Sequence, residues 1–270
     1  MRRAIVMGVG AAAVSIGLLA TGFVAGLPRA ANGGQEMITV AASGTSPDRS
    51  EVEGIVRDYL LANPEILIEM QQLLEEKRME EQRLASTAVI ESAHDEIFNA
   101  AYDGVLGNPE GSTTIVEFYD YNCGFCKRAQ EDMLALIAED DDLRFVLKEL
   151  PILGPDSQKA HVVSMAMRAL MPEKHGEFHN RLLASPGRAG EASAIAIAVS
   201  LGADEVRLRE EMKNPAITEA FATTYDLANR LAITGTPSYV VGNEVVFGAL
   251  GHEVLGEKIA MARKCSEGAC

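Results

Sequence analysis

The stretch "IVEFYDYNCGFCKRAQEDM", residues 115–133, decides how this chain is read. Residues 113–119 are β-branched and aromatic, as a strand is, and residues 127–139 carry the spacing of a helix. Cys123 and Cys126 stand where one gives way to the other. A cysteine at a helix N-terminus faces unpaired backbone N–H groups and the positive end of the helix dipole, so its thiolate is stabilised and its pKa falls below ~8.5. Cys123 is placed to be that cysteine. Cys126, one turn later and on the inward side, keeps a higher pKa and can attack a mixed disulfide formed at Cys123. Gly124 and Phe125 leave the first sulfur accessible and add no charge.

Other uses of the pair fit less well. A zinc site needs four ligands, usually as two close pairs, and the other cysteines, Cys265 and Cys270, sit at the far tail with a different spacing. A purely structural disulfide across so short a loop gains little chain entropy. Redox chemistry is the reading these residues favour. A rival from another class is a copper-binding or copper-protecting module that uses the two thiolates as a soft site for Cu(I). A third is an oligomeric scaffold whose redox site is incidental.

Two residues near the pair sharpen the redox reading. Glu117 lies in an otherwise apolar strand, where a carboxylate is costly to bury unless it has a partner or a task. Beneath a cysteine pair it can accept the proton of Cys126, and a raised pKa suits that role. Lys148, in the neighbouring expected strand 143–149, is the candidate charge partner.

Outward from this centre, residues 156–231 read as mostly helical. SYVV (238–241) and EVVF (244–247) are short strands joined by Gly242-Asn243, a hairpin signal, and a last helix is expected over 252–263. Pro237 fits the first residue of a strand, where no ladder donor is needed. The layout is α/β, with the cysteine pair between the end of a strand and the start of a helix. His175 and His179 are four residues apart, but Pro172 and Gly176 interrupt the local helical pattern, so they are read as surface residues and no metal site is expected.

The N-terminus reads as an export signal. Arg2 and Arg3 precede an uncharged run over residues 4–27, with a cleavage site expected at Val40-Ala41-Ala42. An uncleaved membrane anchor is the alternative, because ~20 apolar residues suffice to span a bilayer. Either outcome places the remainder outside the cytoplasm, where disulfides persist. Residues 32–50 suit a linker. Helical periodicity follows through Val52, Ile55, Val56, Tyr59 and Leu60, then stops at Asn63-Pro64. A second helix is expected from Pro64 to about Tyr102. Its heptad seam would place Lys77 and Glu81 at core positions, where charge weakens a coiled coil, so a homo-oligomerising arm and a helix packed on its own domain both stand. The formal charge of −15 on 270 residues argues against a nucleic-acid partner, which needs clustered Lys and Arg.

The segments "VEFYDYNCGFCKRA", "KELPILGPDS" and "GTPSYVVGNEVVFGALG", in this order, resemble the DsbA-like thiol:disulfide oxidoreductases of the thioredoxin superfamily. The likeness covers about Gly111 to Lys264. It implies a thioredoxin-like fold with an inserted helical domain, preceded by an N-terminal helical extension. It makes Cys123 the nucleophile, Cys126 the resolving cysteine, Glu117 the buried carboxylate, and Thr236-Pro237 a cis-proline dipeptide that faces the disulfide and binds an extended substrate segment. Gly124-Phe125 differs from the Pro-His of the strongly oxidising members. Thr236 and the helical extension resemble the periplasmic isomerases and the suppressor-of-copper-sensitivity protein C group, in which the extension oligomerises the chain. The expected organisation is a signal or anchor at 1–42, a linker and helical extension at 43–108, and a DsbA-like domain at 109–270 with its helical insertion at about 155–232. The reactive disulfide is the protein's own, so no cofactor is expected. The partners expected are exported proteins with cysteines and a membrane redox protein that resets the site. Cys265 and Cys270 are expected to close a small second disulfide.

Overall fold

The computed structural model describes residues 48–266. The expected export segment at 1–42 and Cys270 lie outside the described residues. Helix α1 (Arg49–Ala62) falls, up to Leu61, in one compact unit, and the chain from Ala62 onward forms another. Every residue of α1 is free of burial, including the apolar Val52, Ile55, Val56 and Tyr59.

The second unit begins with α2 (Ile66–Ser92) and α3 (His94–Phe98). The expected single helix to Tyr102 ends early, because the backbone leaves the helical region at Ala93. The chain then enters β1 (Gly104–Gly107), a four-residue strand too short and glycine-rich to show in the sequence pattern. Strand β2 (Thr113–Tyr119), helix α4 (Gly124–Glu139) and strand β3 (Leu143–Glu149) follow. The insertion comprises α5 (Pro155–Leu170), α6 (Pro172–Leu183), α7 (Glu191–Ser200), α8 (Glu205–Glu211) and α9 (Pro215–Arg230). The hairpin β4 (Ser238–Val241) and β5 (Glu244–Phe247) and helix α10 (His252–Ser266) complete the unit.

The sheet order is β1-β3-β2-β4-β5, with β2 and β3 parallel and the other pairs antiparallel. Both central strands are buried over almost their whole length, so they read as continuous apolar runs. The strand period of two sends alternate residues to opposite faces. Ile115, Tyr119, Phe145 and Leu147 pack with α4, α10 and the insertion, while Val116, Phe118 and Val146 pack with Ile90 of α2, Ile97 of α3 and Leu227 of α9. The end of α2, α3 and β1 thus contribute to the same core and sheet as the segment from residue 109 onward. Among the described residues, no helix is long and apolar enough to cross a membrane.

Candidate active site

Strand β2 delivers the chain to the turn Asp120–Cys123, where the amide of Cys123 donates to the carbonyl of Asp120 at 2.9 Å. Cys123 is extended (φ −78°, ψ 116°) and caps α4, and Lys127 N–H closes the first helical turn on its carbonyl at 3.0 Å. A Cβ on Gly124 would meet nothing within 4 Å, so the helix starts in open space. Phe125 is exposed beneath the Arg128 guanidinium, which lies 4.2 Å from the ring centre. Cys126 is wholly buried, one turn inside. Both cysteines are free thiols.

The Thr236-Pro237 peptide is cis. It sets the Thr236 carbonyl 3.0 Å from Cys123 Sγ, which donates to it. From below, the carboxyl of Glu117 is buried, with Tyr239 directly across from it on β4. Its Oε1 has no hydrogen-bond partner.

These positions divide the thiols electrostatically. Cys123 is held down to about 5, chiefly by the hydrogen bond from the Cys126 thiol; burial works the other way, and the Thr236 side chain and the amides of Cys126 and Phe125 add support. Burial pushes the Cys126 thiol far above its ordinary value, and its bond to Cys123 and the charge of Glu117 reinforce this. Burial also lifts Glu117 to about 8, with the Cys123 charge adding and a bond from Tyr239 opposing. The helix-terminus amides therefore help to acidify Cys123, but the neighbouring thiol does more.

Cys123, Cys126, Glu117, Thr236 and Pro237 are thus brought to one place. Lys148 is not among them. It stands across from Phe118 and not Glu117, so it faces the opposite side of the sheet, where its amine is 2.6 Å from Asp103. It is neither the partner of Glu117 nor an exposed lysine. The reading of His175 and His179 as surface residues is also corrected, since both are buried in α6. Pro172 opens that helix without breaking it. Gly176 is needed for close packing, because a Cβ there would come 2.7 Å from Leu106 Cδ2. Burial lowers the two imidazoles to about 4 and about 3, so both are neutral.

Sequence reasoning missed a polar cluster behind the turn. Asp120 accepts from Asn122 N–H at 2.8 Å, Leu153 N–H at 2.9 Å and Ser157 Oγ at 2.8 Å. Asn122 exchanges hydrogen bonds with Ala189, accepting from its amide at 2.7 Å and donating to its carbonyl at 2.9 Å. Lys127 donates to the carbonyls of Ser185 and Gly187 at 2.8 and 3.2 Å. Deeper lie Glu149, His161, Ser164 and Tyr121. Glu149, like Glu117, is an acid in an otherwise largely apolar strand, a signal already present in the sequence. Cys265 is disulfide-bonded. Its expected pairing with Cys270 falls outside the described residues.

Residues 114–260, more than half of the chain, match the DSBA-like thioredoxin domain, and residues 48–81 match the N-terminal domain of copper resistance protein ScsC. A thioredoxin-like oxidoreductase from Silicibacter pomeroyi is 38% identical, with 63% of this chain and 97% of that one covered and a TM-score of 0.60. ScsC of Proteus mirabilis in a transitional conformation is 27% identical, with 79% of this chain and 95% of that one covered and a TM-score of 0.60. Disulfide bond formation protein D of Bacillus subtilis is 26% identical over 165 residues, 57% of this chain and 74% of its own length. Matches to two Na(+)/H(+) antiporters of Salinispora take in 24% of the antiporters' length, so the chain spans about a quarter of those relatives. The fold and the matched residues together make this chain a member of the DsbA-like thioredoxin family of thiol–disulfide oxidoreductases.

Proposed function

We propose that the protein works outside the cytoplasm as an oxidase and isomerase of disulfides in exported proteins. The observation that carries this is the unequal cysteine pair: Cys123 held down to about 5 beside a buried Cys126 whose thiol is pushed far up. A low-pKa thiol is a good leaving group, which favours the reduced pair and drives oxidation of the client.

In that direction a client thiolate attacks Cys123 Sγ. The Cys123–Cys126 bond breaks, and Cys126 takes the electron pair and a proton from Glu117, which at about 8 is protonated at neutral pH. A second client thiolate then attacks the client sulfur of the mixed disulfide, and Cys123 leaves as a thiolate. Two electrons pass from the client to the pair, and a membrane redox partner must remove them. In isomerisation the reduced Cys123 attacks a client disulfide, the client rearranges, and one of its own thiolates displaces Cys123 with no net electron transfer. Reduction of a client reverses the first sequence, with Glu117 taking the proton of Cys126. The backbone at Thr236-Pro237 holds the client as an extended segment.

Within residues 43–108, the part before the buried end of α2 serves in this reading as an oligomerising arm that arrays several sites around one client and raises their effective concentration. The exposed Leu67, Met70, Leu73 and Leu74 on α2 support it. The test uses the chain from residue 43 with a metal chelator present. It is expected to be a dimer or trimer by light scattering, to oxidise a dithiol peptide and to refold scrambled ribonuclease. Cys123→Ser abolishes both activities, and Cys126→Ser accumulates mixed disulfides with clients. Absence of exchange under chelation, with tight Cu(I) binding, would replace this reading by a copper module; a monomer would remove the arm and leave an oxidase.

A further inference from the structure

The segment that presents Cys123 is anchored to a buried ionic system that the exchange chemistry does not use. Tyr121 N–H donates to Nε2 of His161 at 3.2 Å. That nitrogen must therefore be unprotonated, and the ring proton lies on Nδ1, which contacts the carboxylate of Glu149. The other oxygen of Glu149 accepts from Ser164 Oγ at 2.6 Å. Tyr121 donates its phenol proton to Ser164 at 2.8 Å and accepts from the phenol of Tyr119 at 3.1 Å. His175 Nε2 lies 3.1 Å from Ser164 Oγ, and His179 Nδ1 lies 3.4 Å from the Tyr121 phenol. Two further charges act on the network, Asp120, with Oδ1 3.9 Å from His161 Nε2, and Arg168, which opposes protonation of His175. His161 and Glu149 are buried, so neither interaction competes with water.

The donors in this network run one way. An amide of the active-site turn donates to His161, His161 donates to Glu149, and two phenols reach Glu149 through Ser164. The carboxylate fixes the tautomer of His161, and the tautomer leaves Nε2 as an acceptor for the backbone two residues before Cys123.

We propose that Glu149 and His161 are positioning residues of the exchange reaction. They hold the Asp120–Cys123 turn in the pose that brings Cys123 Sγ to its hydrogen-bond donors, and so set its acidity and the reduction potential of the pair. Neither touches a client or a reacting sulfur. The inference rests on Cys123 being the attacking thiol.

Three variants separate this from a purely structural role. His161→Leu removes both ring contacts. His161→Gln restores an acceptor for Tyr121 and a donor for Glu149. Glu149→Gln removes the charge and leaves a single amide oxygen, so either His161 Nδ1–H or Ser164 Oγ–H is left facing the amide NH2. In the wild type, alkylation of Cys123 and absorbance at 240 nm should follow a group titrating near 5. In His161→Leu and Glu149→Gln the alkylation rate at pH 5 should fall about fivefold for the first unit by which Cys123 rises and about tenfold for each unit beyond it. The reduction potential should fall with it, and His161→Gln should recover most of both. The nitrogen-15 shifts of His161 should report Nδ1–H and an unprotonated Nε2 in the wild type, and an Nε2–H tautomer there would overturn the inference. If His161→Leu fails to fold, Glu149→Gln and the tautomer measurement still decide. Variants that lose thermal stability but keep the wild-type titration and potential would overturn the inference. A wild-type Cys123 titrating as an ordinary thiol would instead overturn the functional reading on which it rests.

Discussion

Glu117 and Glu149 are buried carboxylates on the neighbouring strands β2 and β3, and their environments drive them in opposite directions. Glu117 has one oxygen without a partner and is lifted to about 8, mainly by burial. Glu149 is equally buried, which also works against its charge, yet His161 and Ser164 hold its carboxyl below the ordinary range. A buried acid with too few donors keeps its proton to higher pH. An acid with a donor on each of its oxygens stays charged. Burial alone does not distinguish the two; the donors do.

The comparison can be broken first at Glu149. Glu149→Ala removes the acceptor of His161 and Ser164 and leaves both donors buried without it, so urea unfolding should show a loss of about 1–3 kcal/mol for each of the two unmade bonds. A loss no greater than that of an exposed glutamate would end the claim that this carboxylate is an anchor.

Glu117 should respond with the opposite sign. Its folded pKa of about 8 exceeds the ordinary 4.5, so the folded protein binds more protons than the unfolded chain between those values, and this group makes stability fall as pH rises across that window. Glu117→Gln should flatten that slope and stabilise the protein on the order of 2–3 kcal/mol at pH 7. It should also slow turnover of the mixed disulfide about 10²-fold, while the first attack by Cys123 keeps its rate. Stopped-flow kinetics with a disulfide-bonded peptide, followed in the direction of client reduction, separates the steps. A variant with wild-type resolution would return Glu117 to a structural role.

The smallest effect belongs to the other face of the sheet. Burial raises Asp103 to about 7 and lowers Lys148, so the pair can neutralise when its partner is lost. Lys148→Met should therefore cost only about 1–2 kcal/mol, less than breaking an ion pair that must stay charged. Titration of Cys123 should be unchanged. A shifted titration would reconnect Lys148 with the active site.

The sequence made the frame legible where local pattern and tertiary role agree. Strands 113–119, 143–149, 238–241 and 244–247 appear where the apolar runs place them, and the cysteine pair opens α4. What escaped depends on residues far apart in the chain. Lys148 could not be assigned a face without β1 and α3, which bring Asp103 and Glu96 to it. His161 looks like any polar residue of a helix until α5 is laid against the turn at Tyr121. The histidines of α6 were obscured because Gly176 signals a break locally, while its missing side chain serves Leu106 across the core.

The loop over residues 184–190 carries one more implication, concerning chain length. Pro186, Gly187 and Arg188 are exposed, and exposed connections of this kind ordinarily tolerate inserted or deleted residues. Here both ends of the loop are tied to the segment around Cys123, through Ala189 with Asn122 and through Ser185 and Gly187 with Lys127. The loop therefore acts as a gauge between the insertion and the cysteines. Shortening it by a single residue would pull on Asn122 and on the buried Ala189 together, so grafts that exchange the insertion among homologues must preserve this span.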